Sequence, residues 1–404
     1  MRSRRLAFVF AVLPFAFYAY ACSSDDSTSP SSDDAGGGSE TGTTGEEDSS
    51  TPGEKDSSTP GDKDSSTPND SGTDAADAGD GGDGGDAGDG GLDFCVGNPL
   101  LADGGIVTGG YMVDASAPRQ IFVETFLASS FIDGPQWIEA NGGQLVFSQV
   151  YGVPRATYTT GIDGGTPVLF RQTPNDNVLP IGNAFAADGG VLTTYSASGG
   201  AAGIARTQPN KTANSTVPVA PATNPNDLVV GPKGDVYFTD PKFQTDNAGA
   251  GSGVYRIAPD GGVAAIDTYD QNNVQRMNGI ALSPDNKTLY VSNTETKQIL
   301  KYAVATDGTV AKPGTPVVTG TVDLPDGIAV DDAENIWVAE AHSTFGTQSG
   351  RVEVFTKAGV KLAEIPFPTQ RPTSVAFGGA DNKTVFVTTE RAIYVLATRC
   401  PGVR

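Results

Sequence analysis

LPDGIAVDDAENIWVAE, residues 324–340, holds the pattern that decides the fold: a polar tip (Asp326-Gly327), a short apolar strand, a turn, and a second apolar strand ending in IWVAE. The second-strand element recurs as LVFSQ (145–149), VLTTY (191–195), VYFTD (236–240), LYVSN (289–293), IWVAE (336–340) and VFVTT (385–389). Successive copies start 45 to 53 residues apart. Six short β-type segments at this period are the mark of a propeller, in which each repeat is one blade. Between the copies, apolar runs of four to six residues are bounded by Gly, Asp, Asn and Pro, with no heptads or long helical periods. The fold class read from this is all-β: a six-bladed β-propeller over residues 94–404.

Two segments precede it. Residues 1–22 carry Arg2, Arg4 and Arg5, then the apolar run 6–20, too short to span a bilayer but of secretory-signal length. The sequence AYAC (19–22) resembles a lipoprotein box, so Cys22 is expected to carry lipid, with plain cleavage after Ala21 as the alternative. Residues 23–93 contain the repeats DSSTPGEK, DSSTPGDK and DSSTPND and then Gly/Asp/Ala runs. So little of this is apolar that burial cannot offset the entropy of ordering it, and a disordered acidic tether is expected. It holds 20 acidic residues against 2 basic ones, so most of the chain's net charge of −22 lies there rather than in the propeller. Without a basic patch to neutralise phosphates, nucleic acid is excluded as a partner. A monomer in a bacterial cell envelope, reached through the lipid alone, is the expected setting.

Apart from Cys22 the cysteines are Cys95 and Cys400, which flank the propeller. A closed ring brings its termini together, so an export signal favours a Cys95–Cys400 disulfide over two free thiols. By the same logic IFVETF (121–126) is expected to complete the last blade beside AIYVL (392–396).

Each first strand opens on a polar tip: Asp133-Gly134-Pro135, Gly182-Asn183, Asn226-Asp227, Asn278-Gly279, Asp326-Gly327 and Thr373-Ser374. Taken singly these are ordinary turn dipeptides. Four of them place Asp or Asn at matching offsets before the second strand. The entrances of the innermost strands converge on the axis, so Asp133, Asn226, Asn278 and Asp326 would form a cage of hard oxygens suited to a divalent cation, Ca²⁺ best of all. Zinc is excluded, since His342 is the single histidine. His342 and Arg371 are expected to have local structural roles, and Asn286 and Asn382 to be turn residues.

IDGPQW (132–137), NPNDLVVGPKGDVYFTDP (224–241), MNGIALSPDNKTLYVSN (277–293), LPDGIAVDDAENIWVA (324–339) and RPTSVAFGGADNKTVFVTT (371–389) together resemble the motif series of the SMP-30/gluconolactonase/LRE-like family. Its members are six-bladed propellers related to diisopropylfluorophosphatase. The resemblance implies an axial divalent cation held by Asp133, Asn278 and Asp326, with Asn226 contacting substrate or metal; Asp227 beside it is, from the residues alone, a candidate substrate contact with a structural role as the alternative. It implies hydrolysis of a lactone or similar ester, with Asp326 as general base or nucleophile. Two positions depart from the family pattern: Asp133 stands where a Glu is usual, and Asn224 where sugar-lactone members often carry Arg. These departures keep open a non-catalytic, surface-tethered binding propeller with a structural cation. A strictosidine-synthase-like enzyme shares the fold but would not need the cage.

Overall fold

The structure, a computed structural model, describes residues 118–403 except 124–130, 153, 198–201, 212–213, 244–251, 271, 274, 344–348, 368 and 399. The expected signal segment, the tether, Cys22 and Cys95 lie outside the described residues.

Six antiparallel four-stranded sheets follow one another along the chain. Blades 1 to 5 cover 131–172, 178–218, 228–269, 277–319 and 324–367, each laid down from its innermost strand outwards. Blade 6 combines three strands between 372 and 397 with the N-terminal strand Arg119–Val123, which pairs with Ala392–Ala397 and closes the ring. That is the closure expected of the 121–126 segment, shifted two residues towards the N-terminus. All six copies of the repeated element form the second strand of their blades.

Second strands read as near-continuous apolar runs because both of their faces are covered by neighbouring blades. Val191–Ala197 is buried at every position. The core is accordingly divided among the seams between blades. Tyr255 and Phe238 meet Leu192 and Ile204 where blades 2 and 3 join. Met277 and Val291 pack on Tyr237 and Val254 between blades 3 and 4, and Trp337 packs edge-on against Phe377, 5.4 Å between centroids, between blades 5 and 6. The Trp337 indole N–H donates to Asp331, whose carboxylate also accepts from Asn335 and from the backbone of Ala333. The C-terminal tail is laid over this seam. Val403 N–H donates to Val330 and Asp332 N–H to Pro401, while Cys400, fully buried, is disulfide-bonded. Asn286 and Asn382 occupy turns at φ +57° and +59°, as expected of turn residues.

Candidate metal and active site

The innermost strands do not pair evenly with their neighbours. Register breaks fall between Asp133 and Gln136, Pro180 and Asn183, Met277 and Ile280, Pro325 and Ile328, and Pro372 and Ser374. A bulge frees residues from the ladder and re-aims them. Here it turns Asp133, Ile181, Asn278 and Asp326 to the axis. Blade 3 reaches the same place differently: its inner strand starts only at Leu228, and Asn226-Asp227 sits ahead of it, held by Asn226 N–H to Thr239 O (2.8 Å) and Thr239 N–H to Asp227 O (3.0 Å). Asp133, Asn226, Asp227, Asn278 and Asp326 thus line one narrow axial cavity, together with Ile181, Gly182, Gly327 and Ser374.

The tips are in close contact, and glycine makes that possible. A Cβ on Gly134, which sits at φ +56°, would lie 2.1 Å from Ile181 O. One on Gly182 would lie 2.6 Å from the Asp227 carboxylate. The second blade corrects the sequence reading: its tip is Ile181-Gly182 and not Gly182-Asn183. Asn183 turns away to donate to Gly134 O and Ser148 Oγ and to accept from Thr193 Oγ1.

Three carboxylates share this enclosed space. Burial pushes Asp133 up to about 7, against the Gly134 N–H (2.8 Å) that pulls it down. Burial and the nearby Asp133 charge raise Asp227 to about 7, although its oxygens accept the N–H groups of Leu228 (2.9 Å) and Ile280 (3.1 Å). Asp326 is held well above its ordinary value, first by burial and then by Asp133, with Arg371 acting in the opposite sense. Like charges in low dielectric cannot all ionise unaided. Arg371 offers little relief, since it is paired with Glu390 at 2.6 Å.

The donor set fits a hard cation. The Asn278 side chain lines the cavity, with its amide nitrogen donating to Thr294 Oγ1 at 3.0 Å and lowering the Asp326 carboxyl by a further hydrogen bond. Among the described residues no group of three His, Cys, Asp or Glu is arranged to bind a metal by itself. The cage is mixed, two carboxylates with two amide oxygens, a composition that suits Ca²⁺ completed by water. Asn224 does not reach the cavity: it is fully buried, with its amide donating to Ser196 Oγ and Ala197 O. His342 follows the second strand of blade 5, where its N–H donates to Ser349 O, and it does not line the cavity.

The sequence profile described as SMP-30/Gluconolactonase/LRE-like region matches residues 131–391. A gluconolactonase of Zymomonas mobilis is 25% identical over 323 residues, covering 72% of this chain and 84% of that protein. A pentonolactonase of Haloferax volcanii is 31% identical over 172 residues, 41% of this chain, and the match spans about half (52%) of that protein's length. Among solved structures, a gluconolactonase of Xanthomonas campestris superposes with a TM-score of 0.56 at 25% identity, covering 71% of this chain and 96% of that one.

Proposed function

The chain belongs to the SMP-30/gluconolactonase/LRE-like family, and on that premise we propose that it is a divalent-cation-dependent hydrolase of a lactone or similar ester. One observation carries the reading: three closely spaced carboxylates and two amides line a single axial cavity, an arrangement whose charge a bound cation would balance. The lactonases among its relatives supply the substrate class.

Asp133, Asn226, Asn278 and Asp326 would hold the ion, Ca²⁺ by donor type. When bound, it supplies Lewis-acid polarisation of the substrate carbonyl and charge neutralisation. Asp326 then either accepts a proton from the attacking water or itself attacks the carbonyl carbon. Asn226 and Asp227, on the neighbouring wall, orient the substrate. The ring-opened product is a hydroxy acid. Asn224 being spent on blade 2, sugar recognition through that position does not carry over.

The proposal extends to setting: a monomer exported by residues 1–22, held in the bacterial cell envelope by lipid on Cys22 and spaced from the membrane by the acidic tether, with Cys95–Cys400 closing the ring. A second reading, a tethered binding propeller with a structural cation, draws on the shorter arm of Asp133. Turnover of a lactone panel by the purified protein, with Ca²⁺ and with chelator, separates the two. Cation-dependent hydrolysis abolished by Asp326→Ala supports the enzyme, and undiminished turnover by that variant sinks the site assignment.

A further inference from the structure

Aligned on their second strands, five of the six blades carry a hydroxyl at the fourth position of the repeated element: Ser148, Thr194, Thr239, Ser292 and Thr388, with Ala339 in blade 5. In three consecutive blades this hydroxyl makes the same two bonds. Thr194 Oγ1 accepts Gly182 N–H of its own blade (2.8 Å) and donates to Asn226 O of the next (2.5 Å). Thr239 Oγ1 accepts Asp227 N–H (3.2 Å) and donates to Asn278 O (2.5 Å). Ser292 Oγ accepts Gly279 N–H (2.7 Å) and donates to Asp326 O (2.6 Å). All three are fully buried.

The distribution of these bonds around the ring is selective. The three receiving carbonyls belong to Asn226, Asn278 and Asp326, each of which lines the cavity. At the remaining cage residue, Asp133, the preceding carbonyl of Ile132 accepts the hydroxyl of Thr373 from blade 6 at 2.7 Å, with Thr388 behind it. Among the described residues, the two tips outside the cage receive no such bond. Ser148 faces blade 2 but instead accepts from Asn183, and blade 5 presents Ala339 to blade 6. Core packing alone would not sort hydroxyls this way. Blades 2 and 6 pack against their predecessors as the others do, yet among the described residues only in seams that lead to a cage residue does a hydroxyl donate to the backbone carbonyl of the next tip.

We propose that Thr194, Thr239, Ser292 and Thr373 are positioning residues for the axial cation, each fixing the backbone from which a cage oxygen projects. This rests on the cation reading above. A hydroxyl in a dry seam is directional where a methyl is not. Replacing Thr239 or Ser292 removes the hydroxyl donor of a tip carbonyl, and the tip then shifts to find another, whereas Asn226 O keeps the N–H of Gly182 at 2.8 Å when Thr194 is replaced. Groups that orient metal ligands in this indirect way are typically worth about 10–100-fold in affinity.

Ca²⁺ titration of the full chain by calorimetry tests the proposal, with the unsubstituted protein, Thr239→Val, Thr239→Ser, Ser292→Ala and Asp326→Asn compared at one pH. The expected result is Ca²⁺ binding weakened about tenfold or more by Thr239→Val and Ser292→Ala, restored close to the parent affinity by Thr239→Ser, and lost in Asp326→Asn. A merely structural hydroxyl would lower the cation-free melting temperature and leave Ca²⁺ affinity alone. Should Thr239→Val not fold, Ser292→Ala, which removes one atom, carries the comparison. Parent-like affinity in both hydroxyl variants, with Asp326→Asn defective, overturns this inference and leaves the cage standing. Undiminished binding by Asp326→Asn, or none by the unsubstituted protein, overturns the cage and the inference with it.

Discussion

Replacing Glu340 with Gln should stabilise the protein, and increasingly so as pH rises. Glu340 is the penultimate residue of the second strand of blade 5 and is fully buried. One oxygen accepts Asp323 N–H at 2.9 Å, while the other is buried without a hydrogen-bond partner, and the nearby Glu353 carboxylate disfavours a second charge there. Around the pair stand Arg351, bonded to Asp323 and Glu364, and Lys361, bonded to Glu353 and Glu364. Burial, followed by Glu353, pushes Glu340 up to about 9 from 4.5, while the Asp323 N–H and Arg351 act weakly the other way. Between these values the folded protein holds a proton that the unfolded chain releases. Unfolding free energy therefore falls as pH rises from 4.5 to about 9, by about 1.4 kcal/mol per pH unit. At pH 7 the accumulated loss has a ceiling of roughly 3 kcal/mol. Glutamine keeps the acceptor for Asp323 and gives Glu353 an N–H donor, yet has nothing to ionise in the unfolded state. Urea unfolding of parent and Glu340→Gln at pH 4.5, 7 and 8.5 should show curves that coincide at the lowest pH and separate upwards. Parallel pH profiles, or a variant less stable than the parent at pH 8.5, would refute the raised Glu340 carboxyl.

Gly134→Ala should lose roughly 1–3 kcal/mol through its left-handed backbone and more through the contact with Ile181 O, with Ca²⁺ affinity falling in the same titration because Asp133 is displaced. Asp331→Ala strands the buried N–H donors of Trp337 and Asn335, at a cost of about 1–3 kcal/mol for each group left unpaired, read by urea denaturation and by the near-ultraviolet dichroism of Trp337. Protons and cation compete for Asp133 and Asp227, both raised to about 7 in the cation-free protein. Ca²⁺ binding should therefore weaken as pH drops from 8 to 6 and release protons at pH 6. Calorimetry in buffers of differing ionisation enthalpy measures that release, and its absence would contradict the buried-carboxylate account.

The blade pattern was legible because a second strand covered on both faces must be apolar along its length, which leaves a periodic trace in VLTTY or LYVSN. Asp133, Asn226, Asn278 and Asp326 were legible for a related reason: they stand at one structural position repeated around a symmetric ring. Blade 2 misled the reading because Gly182-Asn183 has the composition of a turn, whereas the bulge that sets its register starts one residue earlier. Asn183 is spent on Gly134 O, a contact between blades that no local pattern encodes. The hydroxyls of Thr194, Thr239 and Ser292 were visible once the copies were aligned, but a lone Ser or Thr in an apolar strand has no evident partner until the next blade is placed beside it. Glu340 was hidden similarly, because the residue that makes it unusual, Glu353, lies on the adjacent strand.

Ring closure by the strand Arg119–Val123 also dictates a sequence of events in time. This strand is synthesised early, yet its partner Ala392–Ala397 emerges only after the first five blades have been made. Pairings so remote along the chain are slow to form and leave strand edges open meanwhile. Asp133 in blade 1 and Asp326 in blade 5 face one another across the axis only after blade 6 has joined them. Although blade 6 supplies none of the four cage residues, the proposed cation site would not form on a nascent chain or one lacking that blade. The ion would therefore report completion of the ring rather than guide it.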